Sequence, residues 1–324
     1  MSGRECPLCL NPSTHPALTG TDLLFDTTSE TFRLNACTAC GCFFLNPMPG
    51  AEEIAGFYPK QYWWKGSRPR FLKRVESIYR RVVLRDHLAF IAGAAGRVEP
   101  KLEEVSLLDV GCGSGTLIAI LKERGFRVLG LDFSEEASKV AASENGVEVV
   151  VGTLEDANFA ESSFDVITLF HVMEHVPNPR QVLSEVNRIL RPGGRLVLQV
   201  PNIDSWQCKI LGSKWYGLDI PRHVIDYSRS AMFKLLGTAG FKPCRIRHFN
   251  LRDNAPALVS SLFPSLDPVS RAVRQQKYNI QETQPVAWSR HLSYMFFVLC
   301  AYPIAILESV SGHGATIMIE ARKE

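Results

Sequence analysis

No charge of one sign dominates this chain. Its 324 residues carry 36 Lys and Arg against 33 Asp and Glu, a formal net charge of +3, too small an excess to call for a nucleic-acid partner. The opening residues, Met1-Ser2-Gly3-Arg4-Glu5-Cys6, lack the apolar core of a signal peptide, which fits a cytoplasmic chain. Long apolar runs are scarce. One of fourteen residues, Tyr294 to Leu307, is short for a membrane span and is interrupted by Pro303. It fits a buried or dimer-forming helix, or one that dips into a bilayer interface and cradles a lipid-linked acceptor. The dinucleotide fingerprint G-x-G-x-x-G is missing as well. Hydrophobic content of 46% and charged content of 21% are ordinary for a soluble globular protein, and the length favours two domains over one core.

Cysteine is present in number, nine in all, and in a chain that reads as intracellular this points to metal ligands and free thiols rather than disulfides. Cys6-Pro7-Leu8-Cys9 and Cys37-Thr38-Ala39-Cys40 are two C-x2-C knuckles separated by 27 residues. Each knuckle offers two thiolates from one tight turn, and two knuckles complete a tetrahedral zinc site. With short strand-like runs between them, residues 1–50 read as a zinc ribbon whose metal supplies much of its folding free energy. Four cysteines close the coordination shell, so the zinc is structural. Cys42 is expected to point away and pack as a small hydrophobe.

What replaces the dinucleotide fingerprint is Leu107-Leu108-Asp109-Val110-Gly111-Cys112-Gly113-Ser114-Gly115. An apolar run ends in an acid, glycines follow at alternate positions, and an amphipathic stretch comes next: strand, tight turn, helix. Glycine lets the turn backbone approach a ligand that a Cβ would repel, and the helix start offers free N–H groups. Asp132, 21 residues after Gly111, ends a second apolar run and is placed to accept both hydroxyls of a ribose.

This phrase resembles motif I of the class I S-adenosylmethionine (SAM) methyltransferases. Phe164 to Val176 is similar to the family's fourth strand and following loop, and Leu190-Arg191-Pro192-Gly193-Gly194 to its turn into the fifth. The resemblance covers roughly residues 105–250. It implies an α/β fold with a Rossmann-like seven-stranded methyltransferase sheet, preceded here by the small zinc ribbon. It also implies a cofactor site: Asp109 beneath the methionine part, Gly111 and Gly113 in the turn, Asp132 on the ribose and Phe133 against the adenine edge. Leu154, through its backbone, and Glu155 would meet the adenine amino end, and Phe170 and His171 the SAM ammonium. Nucleic-acid methylation is disfavoured, since Phe170-His171-Val172-Met173 stands where an N/D-P-P-Y/F signature would be.

His171-Val172-Met173-Glu174-His175 brings two imidazoles and a carboxylate into five residues, and histidine titrates near neutrality, as base catalysis needs. His171 and His175 fall one turn apart if the segment is helical, and His171, at the carboxyl end of a parallel strand, is the first candidate base. The phrase resembles E-x-x-E-H of ubiquinone-biosynthesis O-methyltransferases, where a divalent ion can bind; His171 replaces the first Glu. A later stretch, Tyr216-Gly217 through Asp219 and Pro221-Arg222-His223, resembles a loop that folds over the acceptor in zinc-headed bacterial relatives. There Arg222 is expected to clamp a phosphate or carboxylate, Tyr216 to line the acceptor site, and His223 to be a further candidate base.

Residues 51–102 hold an aromatic segment (Phe57, Tyr58, Tyr62, Trp63, Trp64) and a basic amphipathic helix over 71–91. Residues 103–324 form the SAM-binding domain, with a helical apolar insertion at about 250–312. These features predict a SAM-dependent methyltransferase acting on an oxygen of a sugar, glycolipid or related bacterial metabolite. A quinone or phenol O-methyltransferase and a deoxysugar C-methyltransferase are the enzymatic alternatives. A zinc-ribbon binding protein without catalysis is the non-enzymatic one.

Overall fold

A computed structural model describes residues 5–58, 78–99, 101–279 and 284–324. Tyr62, Trp63, Trp64 and the basic positions from Lys65 to Arg74 lie outside the described residues. Two sheets form. The larger has seven strands in the order β10-β11-β8-β7-β4-β5-β6. Its strands are β4 (Ser106–Val110), β5 (Arg127–Asp132), β6 (Val149–Val151), β7 (Phe164–Phe170), β8 (Leu190–Pro201), β10 (Phe241–Arg247) and β11 (Thr316–Lys323). β4 to β8 run parallel, whereas β11 pairs antiparallel with both β8 and β10. A central parallel strand is covered on both faces, and so the Phe164-Asp165-Val166-Ile167-Thr168-Leu169 run of β7 is buried at every position. The seven-stranded Rossmann-like sheet is as the resemblance implied. The carboxyl ends of β4, β5 and β7 open at one edge, where ligands bind in such sheets.

The smaller sheet has the order β1-β2-β3-β9, with β1 (Thr14–Gly20), β2 (Phe32–Cys37) and β3 (Phe43–Leu45) from the cysteine-bearing head. Its fourth strand, β9 (Ile225–Asp226), lies just after the Pro221-Arg222-His223 stretch. Phe43 pairs with Asp226 and Phe44 with Ile225, and Leu45 donates its amide to Val224. The head and the loop after β8 therefore share one hydrogen-bonded ladder, and Phe44, Leu45, Val224 and Ile225 are buried in one core cluster with Leu198 and Val200.

Among the described residues, where 78–83 are also helical, the α-helices with both ends given are α1 (Ala51–Gly56), α2 (Arg85–Ala95), α3 (Thr116–Glu123), α4 (Glu135–Asn145), α5 (Pro179–Ile189), α6 (Trp206–Leu211), α7 (Arg229–Thr238), α8 (Asn254–Leu262), α9 (Pro268–Lys277) and α10 (Gln284–Val310). The last three fill the stretch between β10 and β11. Here the structure departs from the sequence reading of a short run broken by proline. α10 is continuous through Pro303. Its inward stripe, Tyr294, Val298, Ala301 and Ala305, packs on Ala255 and Val259 of α8. Pro303 faces outward, so the carbonyl of Leu299, left without its amide partner, lies on the solvent side.

Candidate active site

The turn after β4 is built by glycine for steric reasons. Gly111 has φ +71° and Gly113 φ +53°, and a Cβ on Gly111 would come 2.5 Å from Cγ2 of Val172. Gly111 donates its amide to the Leu131 carbonyl, which ties the turn to β5. Asp132 closes β5 and accepts from the amides of Gly113 (2.8 Å) and Ser134 (2.9 Å). The carboxylate expected on the ribose thus also shapes the glycine turn. Asp109 is the penultimate residue of β4, with Thr168 donating to it at 2.5 Å. Burial, reinforced by the charge of Asp132, pushes the Asp109 carboxyl up to about 7. Asp109 and Asp132 are both buried at the carboxyl ends of neighbouring parallel strands, close enough for their charges to act on each other.

Phe133, just after Asp132, stands exposed and edge-on to the Tyr58 ring at 6.2 Å. The Leu154 side chain is buried. Glu155 lines a surface groove with Phe159, Gln181 and Arg188, a set that shares no residue with the Asp109–Asp132 pair.

The segment after β7 does not form the α-turn that would stack His171 on His175. His171 adopts φ +56°, and Met173–His175 is a 3-10 turn. The two imidazoles part company. His171 Nδ1 donates to Glu174 (2.9 Å), its Nε2 lies 3.3 Å from Asp253, and the Gln199 amide sits 2.7 Å from both that Nε2 and Asp253. Burial works against its charge, but Asp253 and Glu174 outweigh it and hold His171 up to about 9. Both of its nitrogens are engaged, Nδ1 by Glu174 and Nε2 by Asp253 and the Gln199 amide.

His175 goes the other way. Its Nδ1 lies 2.9 Å from the Arg222 carbonyl and 2.9 Å from the Tyr58 hydroxyl. Its ring meets that of His223 edge to face at 4.6 Å. His223 Nδ1 donates to the Gly217 carbonyl at 2.9 Å; burial, then the neighbouring His175, pulls His223 down to about 3. In both rings Nδ1 is engaged by a backbone carbonyl. Ligand atoms of Glu174, His175 and His223 lie within 4.8 Å of one another, and Glu174 Oε2 is buried without a partner. A carboxylate with two imidazoles held through their other nitrogen is a donor set able to hold a divalent ion.

Arg222 is not where an anion clamp would be. It is fully buried, and its guanidinium forks onto Asp22 (2.7 and 2.9 Å), Asp219 (2.6 and 2.9 Å) and the Phe57 carbonyl (3.2 Å). Phe25 covers its face at 4.4 Å. No donor is left for a substrate. Tyr216 is half-buried against Leu24, Phe25 and Val273, between the head and α9.

In the head, Cys6, Cys9, Cys37 and Cys40 converge, with Sγ atoms within 4.8 Å of one another, a spacing and an all-thiol set that suit a tetrahedral metal. Cys42 does not point away: its Sγ lies 3.4 Å from Cys6 and 3.5 Å from Cys40.

Three residues around the site were missed in the sequence reading. Tyr58 was visible only as one of an aromatic cluster. Asp253 and Asp22 carried no signal, because each is brought in from a distant part of the chain.

A methyltransferase-domain family matches residues 77–245. A ubiquinone biosynthesis O-methyltransferase from Cronobacter sakazakii is 32% identical over 61% of this chain and 81% of its own length. That of Escherichia fergusonii is 30% identical over 69% of this chain and 93% of its own. Among solved structures, a SAM-dependent methyltransferase from Thermotoga maritima aligns over 81% of this chain and all of its own, with 19% identity and a TM-score of 0.44. The chain belongs to the class I SAM-dependent methyltransferases. It is an enzyme that transfers the methyl group of SAM.

The raised Asp109 carboxyl gives a signed pH dependence. Its proton affinity is higher folded than unfolded, so its contribution favours the folded state below about pH 4 and is lost as pH climbs through about 7. With the cationic methionine end of SAM over it, as the family resemblance implies, binding would select the ionised form, and affinity for SAM should rise over the same interval with release of a proton. Asp109→Asn should flatten both trends. Thermal unfolding from pH 4 to 8 and calorimetric SAM titrations measure them; an unchanged pH profile in the variant would show that Asp109 does not titrate there.

Proposed function

We propose that the protein O-methylates a hydroxyl of a small, lipid-linked acceptor, and that His175 takes the proton. The observation that carries this reading is the partly buried His175 imidazole, its Nδ1 engaged by a carbonyl and its Nε2 without a hydrogen-bond partner among the described residues, beside Tyr58, whose ring meets that of Phe133 just after Asp132. SAM supplies an activated methyl on a sulfonium. The protein holds the acceptor oxygen in line and receives its proton on Nε2. His223 supports His175 edge to face, and His171, bonded to Glu174 through Nδ1, orients that carboxylate. A sugar or glycolipid hydroxyl remains the first acceptor, as read from the zinc-headed resemblance. A phenol is the alternative, supported by the ubiquinone O-methyltransferases that this chain resembles. A divalent ion on Glu174, His175 and His223 is a second reading, supported by the unpartnered Glu174 oxygen; bound there, it would acidify the acceptor hydroxyl.

His175→Ala should lower the rate about 10²–10⁴-fold with SAM affinity unchanged. His171→Ala should act through misplacement of Glu174 and keep any neutral-pH ascending limb of the rate profile. Were His171→Ala to remove that limb while His175→Ala kept it, the base would be His171.

For the head, we propose one structural zinc on Cys6, Cys9, Cys37 and Cys40. Metal analysis should return about one equivalent per chain. Chelation should speed amide exchange in β1 to β3 and, through the shared ladder, in residues 222–226. A metal-free protein with an ordered head would remove the zinc.

The acceptor's lipid character has its own support. On α10, Leu292, Phe296, Leu299, Leu307 and Val310 are all 62–83% exposed, on the side away from the α8 stripe. The span Val286–Val310 has mean hydropathy 1.6 and only 28% of its richest stretch buried. Tyr79 and Arg85 stand within electrostatic reach of Tyr302 on that helix, and Lys65, Arg68, Arg70, Lys73 and Arg74 lie a short way upstream in the sequence. An exposed apolar helix face in a chain whose sequence also carries a polybasic run suits peripheral docking on an anionic bilayer. The protein should sediment with phosphatidylglycerol vesicles, much less with phosphatidylcholine, and Leu292→Glu with Phe296→Glu should release it. If those substitutions instead split a dimer in solution and leave vesicle binding untouched, the face belongs to a second copy of the chain.

A further inference from the structure

We infer that Asp22, in the cysteine-bearing head, is a positioning residue for methyl transfer, acting through the buried Arg222 on the tautomer of His175. The inference rests on the reading of His175 as base. Asp22 is itself rigidly held: Phe25 and Thr27 donate their amides to it at 3.0 and 2.7 Å, and the Thr27 hydroxyl adds 2.6 Å. It meets Arg222 as a two-pronged fork, and burial notwithstanding, Arg222 holds the Asp22 carboxyl well below the usual range.

Arg222 passes this order to three parts of the site. Its carbonyl meets His175 Nδ1, its guanidinium holds the carbonyl of Phe57, the residue before Tyr58, and the next residue is His223. The chemistry lies in the first contact. A carbonyl oxygen can only accept, so the proton of a neutral His175 sits on Nδ1 and the lone pair on Nε2. If the carbonyl moved off, the Tyr58 hydroxyl, 2.9 Å from the same nitrogen, could donate to Nδ1 and send the proton to Nε2, which removes the base. Asp219 cannot fix the guanidinium alone. It is three residues away on the same loop and would move with it, whereas Asp22 anchors the loop to a different part of the chain.

The test is the nitrogen spectrum of the His175 imidazole in protein labelled with 15N-histidine, assigned by its loss in His175→Ala. The wild type should show the Nδ1–H tautomer; an Nε2–H tautomer overturns the inference whatever the variants do. Asp22→Asn keeps the shape and removes the charge. It should lower kcat about 10–100-fold with KM for SAM unchanged and shift the His175 signals toward the other tautomer. A folded Asp22→Asn with wild-type kcat and an unchanged spectrum also overturns it. If the Asn variant does not fold, the wild-type spectrum decides alone. Full activity in His175→Ala, by contrast, would sink the choice of base.

Discussion

The arrangement around the reacting end depends on one buried cation. Arg222 has no contact with solvent, and a guanidinium there is tolerated only if its donors are all met. Two carboxylates, a carbonyl and an aromatic face meet them. The carboxylates are not equivalent: Asp22 is held below its ordinary range by the guanidinium, and Asp219 is pushed above it, chiefly by burial. Removing one partner from such a cluster costs about 3–5 kcal/mol, more than any surface ion pair in the molecule can offset. The same condition binds the head to the loop after β8, since Asp22 and Asp219 belong to different parts of the chain. The β3–β9 ladder and the hydrogen bond from Ser228 to the Cys40 carbonyl run between the same two parts.

This bears on what a metal in the head would do. Four thiolates on one ion leave no open position for chemistry, yet the head is not an appendage. Its strands and Asp22 support the loop that carries His223 and the Arg222 carbonyl. A structural metal there would hold part of the active site without touching a reactant.

How far the site was legible in the sequence follows from the range of the forces involved. The glycine turn, Asp109 and Asp132 were readable because strand, turn and helix are local and their spacing is fixed by backbone geometry. The two knuckles were readable for the same reason. The histidines were legible as a group, but their roles were not. His171 and His175 are four residues apart, and what separates them is Asp253, 82 residues on from His171, and Arg222, 47 on from His175. A pattern shows that an imidazole is present; its protonation is set by whatever the tertiary fold brings alongside. Arg222 was misread for a related reason. An arginine in a polar loop suggests an anion to bind, and the anions here are Asp22 and Asp219.

Pro303 was misread because a sequence shows the residue and not the direction it faces. On the inward side of α10 the unbonded carbonyl would have been buried; on the outward side the break is tolerated and the helix runs on. That continuity links the outer face of the insertion to the site. Tyr302 on α10 donates to the Leu251 carbonyl, and Glu308 accepts from Gln207 at the start of α6. Two residues past Leu251 lies Asp253, which leads into α8 and grips His171. Tyr302 thus ties α10 to Leu251, and the carboxylate on His171 is two residues further along. The insertion that offers an apolar face outward therefore also supplies, at its inner end, the carboxylate that raises the proton affinity of His171 and sets its surroundings apart from those of His175.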